Sequence, residues 1–351
     1  MQRHNAMIKT IVTIWSLAMS LPLLAAGPEA ELASGMVNPG YHEPPAWFKE
    51  SFLDIQEDIE EAARDDKRVI LYFYQDGCPY CAKLLQDNFG QRRIAKKTQH
   101  HFDVIAINMW GDRDISWVDG TVAREKLFAA RMKVMFTPTM LFLDEKGNIA
   151  LRVNGYYNPE KFDAVLDYVS GHLEEKIAFS EFYQQRKPIE TTGKLQEHPF
   201  LLKPPYNLIQ LADKNDKPLL IIFEQHHCME CDELHGDIYR RKETLEQLEH
   251  FNVIRLDMWS DMKLVTFDGS QTTAREWARH LKIQYTPTLA FFDRQGREII
   301  RTEAYLKAFH LQSVMDYAAS GAYKTQPSFQ RFISDRADQL EKQGIRINLM
   351  E

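Results

Sequence analysis

No cysteine in the chain stands alone. All four fall in two close pairs, Cys78-Pro79-Tyr80-Cys81 and Cys228-Met229-Glu230-Cys231. Positive charge is not in excess: 43 Lys and Arg face 50 Asp and Glu, a formal charge of −7, and the two signs are mixed along the sequence. A basic nucleic-acid face is therefore not expected. Beyond Leu24 no apolar run is long enough to cross a membrane, which takes about 20 residues. What remains is globular in composition: 44% hydrophobic, 11% aromatic and 26% charged. A length of 351 residues is enough for two domains of ordinary size, each with its own core.

What is present is said nearly twice. The second cysteine pair follows the first at an offset of 150 residues, and Phe136-Thr137-Pro138-Thr139 returns as Tyr285-Thr286-Pro287-Thr288 at an offset of 149. Met109-Trp110-Gly111-Asp112 returns as Met258-Trp259-Ser260-Asp261, and Phe179, Phe182 and Arg186 return as Phe329, Phe332 and Arg336. A repeat of this length is too long for a solenoid unit, so each copy is expected to be a whole domain. The organisation expected is residues 1–26 as a signal peptide, 27–186 as domain 1, 187–205 as a linker rich in proline and charge, and 206–351 as domain 2 with a C-terminal helical extension.

The signal reading rests on Arg3 and Lys9 ahead of the apolar run Ile11 to Leu24, broken by Pro22, with small residues at Ala25-Ala26-Gly27. An uncleaved anchor is the alternative. Cleavage would remove both positive charges and take the formal charge to −9, with no stable membrane insertion afterwards. Export would place the cysteines in an oxidising space, where paired thiols can cycle or stay oxidised.

In each copy, strand and helix patterns alternate, as in an α/β sheet. Trp47 to Arg64 has helical spacing. Val69 to Tyr74 is a continuous apolar run expected of a buried strand. Cys78 opens a helix to about Asn88, with Pro79 in its first turn, where a missing N–H costs little. Val104 to Met109 reads as a strand, Val122 to Arg131 as a helix, Thr139 to Asp144 and Ile149 to Val153 as a hairpin, and Pro159 to Ser170 as a helix. Copy two repeats the order, with only Leu208 to Ala212 standing for the opening helix.

A strand, a break, and then C-x-x-C at a helix start favours a reactive thiol. Free N–H groups and the helix dipole stabilise a thiolate at the first cysteine, and the second lies one turn on, within reach of it. Cys78 and Cys228 are the expected nucleophiles, and Cys81 and Cys231 the resolving thiols. Thr137–Pro138 and Thr286–Pro287, each just ahead of a strand, suit cis peptide bonds. They would present backbone groups to an extended substrate segment beside the sulfur. A metal site built from His226, His227, Cys228, Glu230 and Cys231 is one rival. A chaperone or binding module with two structural disulfides is another.

With these motifs in place, both copies resemble the thioredoxin fold. Gln75-Asp76-Gly77-Cys78-Pro79-Tyr80-Cys81, Asn108-Met109-Trp110-Gly111-Asp112 and Gly155-Tyr156-Tyr157-Asn158-Pro159-Glu160 resemble exported bacterial thioredoxin-related proteins of the sulfur-oxidation-operon type. The resemblance implies an α/β fold of two tandem thioredoxin-like domains, each a central mixed sheet flanked by helices. It implies a periplasmic thiol–disulfide oxidoreductase, a reductase by this likeness, with no cofactor beyond the Cys78–Cys81 and Cys228–Cys231 disulfides and no metal. Its partners would be disulfide-containing proteins or small thiols, with an upstream thiol as electron donor. Two departures stand out. Thioredoxin has a buried acid six positions before its first cysteine, where this chain has Tyr72 and Ile222. In copy two, Glu303-Ala304-Tyr305 replaces Gly155-Tyr156.

Overall fold

The computed structural model describes residues 43–186, 192–303, 306–345 and 347. Residues 1–26, expected to be a signal peptide, most of the lead-in to Pro45, residues 187–191 of the expected linker, and Ala304 with Tyr305 lie outside the described residues. Copy one runs α1 (Ile55–Arg64), β1 (Arg68–Tyr74), α2 (Pro79–Lys83), α3 (Arg92–His101), β2 (Phe102–Asn108), β3 (Asp114–Ser116), β4 (Val122–Arg124), α4 (Glu125–Arg131), β5 (Thr139–Leu143), β6 (Ile149–Asn154), α5 (Pro159–Ser170) and α6 (Phe179–Gln184). Copy two runs β7 (Tyr206–Asn207), α7 (Leu208–Ala212), β8 (Leu219–Glu224), α8 (Met229–Gly236), α9 (Lys242–Leu248), β9 (Asn252–Asp257), β10 (Lys263–Val265), β11 (Gln271–Thr273), α10 (Ala274–His280), β12 (Thr288–Phe292), β13 (Glu298–Thr302), α11 (Ala308–Ala319) and α12 (Phe329–Lys342).

Each copy has a four-stranded mixed sheet with the same order, β2-β1-β5-β6 and β13-β12-β8-β9. The central strand pairs parallel with one neighbour and antiparallel with the other, as β1 does with β2 and β5 and β8 with β9 and β12. Helices cover both faces, so β1, β5, β8 and β12 are apolar almost throughout and buried. One face of β1 (Ile70, Tyr72) meets α2, α3 and α5, while the other (Val69, Leu71, Phe73) meets α1 and α4.

The opening helix is shorter than its sequence spacing suggests. Asp54 caps it by accepting from the Glu57 N–H, after Leu53 takes a left-handed φ of 65°. Trp47 and Phe48 instead pack edge-on against Phe89, at 5.3 and 5.5 Å between ring centroids. Val122 to Arg124 form a strand paired with β3, so the helix expected there begins at Glu125. Helix α3 was not expected: it is strongly charged, with only Ile94, Ala95 and Thr98 buried. The helix opened by Cys78 runs to Phe89, but its second half, Leu84–Phe89, is wound as a π-helix.

The two domains interlock through the residues just before their Thr-Pro segments. Phe136 of copy one sits in the core cluster of copy two, 5.3 Å from Phe329. Tyr285 of copy two sits in the core cluster of copy one, stacked on Tyr157 at 5.0 Å. Polar contacts accompany them: Asn154 Nδ2 donates to Glu303 Oε2 at 2.7 Å, and Gln75 Nε2 donates to Gln330 Oε1 at 3.0 Å. Arg279 also pairs with Glu181.

Candidate active site

Both cysteine pairs are disulfides at a helix N-terminus, with Cα atoms 5.2 Å apart in each. Cys78 and Cys228 are the N-caps. Each has extended backbone, and its sulfur accepts the N–H of the second cysteine, at 3.0 Å from Cys81 and 3.1 Å from Cys231. A sulfur held by a helix-terminal N–H is one whose anion is favoured.

Thr137–Pro138 and Thr286–Pro287 are both cis. In copy one the Thr-Pro segment meets the sulfur directly. Thr137 Oγ1 donates to Cys78 Sγ at 3.3 Å, and the Thr137 carbonyl oxygen lies 3.4 Å from the same atom. In copy two, Thr286 and Cys228 line one cavity of about 400 Å³. Trp110 and Trp259, the repeated tryptophans, each donate their indole N–H at 2.8 Å to the glutamine at the end of the central strand, Gln75 or Gln225.

Each site is walled by the other domain. Over Cys78-Pro79-Tyr80-Cys81 lies the start of α11: the Lys307 N–H donates to Tyr80 Oη at 3.1 Å, and the His310 ring sits edge-on to Tyr80 at 5.0 Å. Burial pushes the Tyr80 phenol up to about 12 and the His310 imidazole down to about 4. The cavity at Cys228 is closed by Glu160, Lys161, Tyr183 and Arg186 of copy one. Lys161 stands 149 residues before His310, the same offset as the Thr-Pro segments. Its side chain is buried, and its ammonium lies 3.5 Å over the Tyr285 ring, with Tyr157 at 5.1 Å and Tyr183 at 5.0 Å completing an aromatic cage. Burial lowers its pKa to about 8, and Glu230, between the second pair of cysteines, opposes that shift. The like charge that Glu230 would present to a Cys228 thiolate is therefore countered from the other domain. As a result the nucleophile positions are nearly covered. Cys78 keeps 3% of its surface and Cys81 1%; Cys228 keeps 5% and Cys231 4%.

The positions of the missing acid, Tyr72 and Ile222, are buried. A buried carboxylate does occur in copy two, two residues further along the strand. Glu224 is 1% exposed and takes a 2.7 Å hydrogen bond with His235 Nε2. His226 lies against the Gly193 carbonyl and 3.7 Å from Asp257. Among the described residues no group of three or more His, Cys, Asp and Glu is arranged to hold a metal ion, and no helix is long and apolar enough to cross a membrane. Lys161, His235 and His310 were not singled out from sequence. The signal available was only position: His235 falls four residues after Cys231, on its face of the helix.

A doubled α/β sheet with C-x-x-C at a helix start and a cis-proline opposite defines a thioredoxin-fold dithiol protein. The thioredoxin-like domain model matches residues 55–170 and again 206–319, and the chain belongs to that family. No curated protein matches the chain. Among solved structures it is similar to a thioredoxin-fold protein from Helicobacter pylori, at 19% identity and TM-score 0.32 over 38% of this chain and 96% of that one. It is also similar to a thioredoxin from Thermus thermophilus, at 24% and 0.27 over 33% and 83%. A third is the reduced DsbD C-terminal domain from Neisseria meningitidis, at 16% and 0.25 over 32% and 88%.

Proposed function

We propose that the chain is an exported, periplasmic thiol–disulfide oxidoreductase that reduces disulfides of proteins or small molecules and is recharged by an upstream thiol donor. The observation carrying this reading is the coincidence, in both copies, of a C-x-x-C disulfide capping a helix with a cis Thr-Pro segment at the site. In the reduced enzyme the Cys78 or Cys228 thiolate attacks a substrate disulfide, forming a mixed disulfide and releasing one substrate thiolate. Cys81 or Cys231 then loses its proton and attacks the first cysteine. That step forms the intramolecular disulfide and releases the second thiolate, so two electrons pass to the substrate. In copy two, the buried Glu224 would take the proton of Cys231. Thr137, Pro138, Thr286 and Pro287 would hold the substrate segment by backbone contacts. The direction and the sulfur-oxidation association rest on the sequence resemblance, and export rests on residues 1–26. Trapping tests the assignment. Cys81→Ser should accumulate mixed disulfides through Cys78, and Cys78→Ser should not; equal trapping by both would reverse the roles.

The near-complete covering of all four cysteines favours one alternative, a binding module whose disulfides are structural. In that case reduction should cost stability and give no turnover.

A further inference from the structure

We propose that His235 and His198 form a proton relay that carries the proton released by Cys231 out of the buried Glu224 site to solvent on the linker side, and that the relay serves the second redox pair alone. It rests on the exchange reaction proposed above.

Glu224 ends β8 two residues beyond Ile222, so it points to the same face of the sheet. That face is covered by α8, whose Leu234 shares a core cluster with Ile222. Cys231 and His235 are both buried and stand one turn apart on α8, which makes them neighbours on its inner face. A carboxylate removed from water needs a partner. Glu224 finds it in His235, which is itself only 5% exposed. The other ring nitrogen of His235, Nδ1, lies 2.8 Å from His198 Nε2, and the two ring planes are nearly parallel, 12° apart, with centroids 4.9 Å apart. His198 is only partly buried, in the stretch leading into domain 2.

Both nitrogens of His235 are therefore engaged, one inward and one outward. A neutral imidazole has one N–H and one bare nitrogen, so it can take a proton on one side while giving one up on the other. In the tautomer that can carry a proton outward, His235 Nε2 is bare toward Glu224 and its Nδ1–H donates to His198 Nε2. When Cys231 gives its proton to Glu224, the Cys231 sulfur attacks Cys228. The Cys228–Cys231 bond forms, the bond from Cys228 to the substrate sulfur breaks, and the substrate leaves as a thiolate. Glu224 then passes the proton to Nε2 as the Nδ1 proton moves to His198 Nε2 and His198 gives its own Nδ1 proton to water. Glu224 is left ionised with Nε2–H donating to it, and the two rings return to the first tautomer by exchange with solvent before the next turnover. No proton stays in the protein.

The groups around the relay suit outward release. Tyr239 stands edge-on to both rings, at 5.3 Å from His235 and 5.9 Å from His198. Burial first, then His235, Arg240 and Arg255, hold the His198 imidazole below its usual range, with Glu197 opposing. A cation formed there is readily given up at neutral pH. At an offset of 150, copy one has Tyr74 and Leu85 where copy two has Glu224 and His235. The first domain is thus an internal control.

The test uses the full chain carrying C78S and C81S, so that only the second pair turns over. Oxidised glutathione is reduced in single-turnover mixing. Attack by Cys228 is read separately from its alkylation by iodoacetamide. His198→Ala should slow closure of the Cys228–Cys231 disulfide by about tenfold or more at neutral pH, leave alkylation unchanged, and recover with added imidazole. His198→Gln keeps a hydrogen-bonding side chain beside His235 without a transferable proton, and should be as slow. The same changes in a C228S/C231S chain should leave the first pair unaffected. Parent-like closure in both variants, no response to imidazole, or equal slowing of the first pair would overturn the relay. A parent that reduces nothing would refute the exchange reading itself, and the relay with it.

Discussion

Phe136→Ala should make Cys78 react faster while making the protein less stable. Phe136 precedes the Thr137–Pro138 bond, keeps 9% of its surface, and buries its ring in the core of the other domain against Phe329. Truncating a buried phenylalanine costs about 3 kcal/mol or more. Because the lost contacts are those joining the domains, much of that loss weakens the closed arrangement rather than either fold. Each 1.4 kcal/mol is a factor of ten in an equilibrium, so domain opening could become more frequent by up to about a hundredfold. Cys78 is 3% exposed in the closed form, and a reagent the size of iodoacetamide reaches it when the domains part. The assay is the alkylation rate of Cys78 in reduced protein carrying C81S, C228S and C231S, so that no other thiol reports. Ile105→Val, a change inside the domain 1 core at a fully buried strand position, is the control: it should lower stability by about 1 kcal/mol without speeding alkylation. If folded Phe136→Ala alkylates at the parent rate, opening of this interface does not govern access to Cys78, and the reasoning fails.

Lys161→Met should fit the tyrosine cage and remove the charge that offsets Glu230. Since Lys161 titrates at about 8 it is charged at pH 7, so the variant should alkylate at Cys228 a few-fold more slowly there. The difference should fade above about pH 9, and Lys161→Arg should retain most of the rate; identical pH profiles would contradict the role. His310 should make the fold acid-sensitive. Its folded pKa, about 4, lies below the ordinary 6.5, so its contribution is fully present above pH 6.5 and is lost as pH falls from there to about 4. His310→Leu should therefore lose less thermal stability than the parent between pH 7 and 4.5, and parallel melting curves would refute this.

The repeat, the two cysteine pairs and the Thr-Pro segments were legible in the sequence because each is a short pattern tied to local backbone geometry. So was Leu208 to Ala212, whose bounds are those observed. Less legible was whatever depends on which neighbour a side chain meets. Trp47 and Phe48 fit a helical stripe by spacing, but are drawn to Phe89. Helix α3 hides because two lysines, two arginines and two histidines leave it too narrow an apolar face. Lys161 lies on an amphipathic helix, where a lysine ordinarily faces water. Tyr157 and Tyr183 of its own domain and Tyr285 of the second enclose it. Glu224 and His235 are eleven residues apart on different elements, and nothing local reveals that strand and helix bring them to 2.7 Å.

Redox titration of the purified chain, with disulfide reduction followed in parallel, tests the central claim most directly. Both pairs should interconvert reversibly between dithiol and disulfide in thiol buffers. The reduced protein should reduce a disulfide substrate catalytically, and C78S combined with C228S should abolish that turnover while leaving the fold intact. Reduction that melts the protein, with no turnover above the uncatalysed rate, would show that the disulfides are structural and contradict the account.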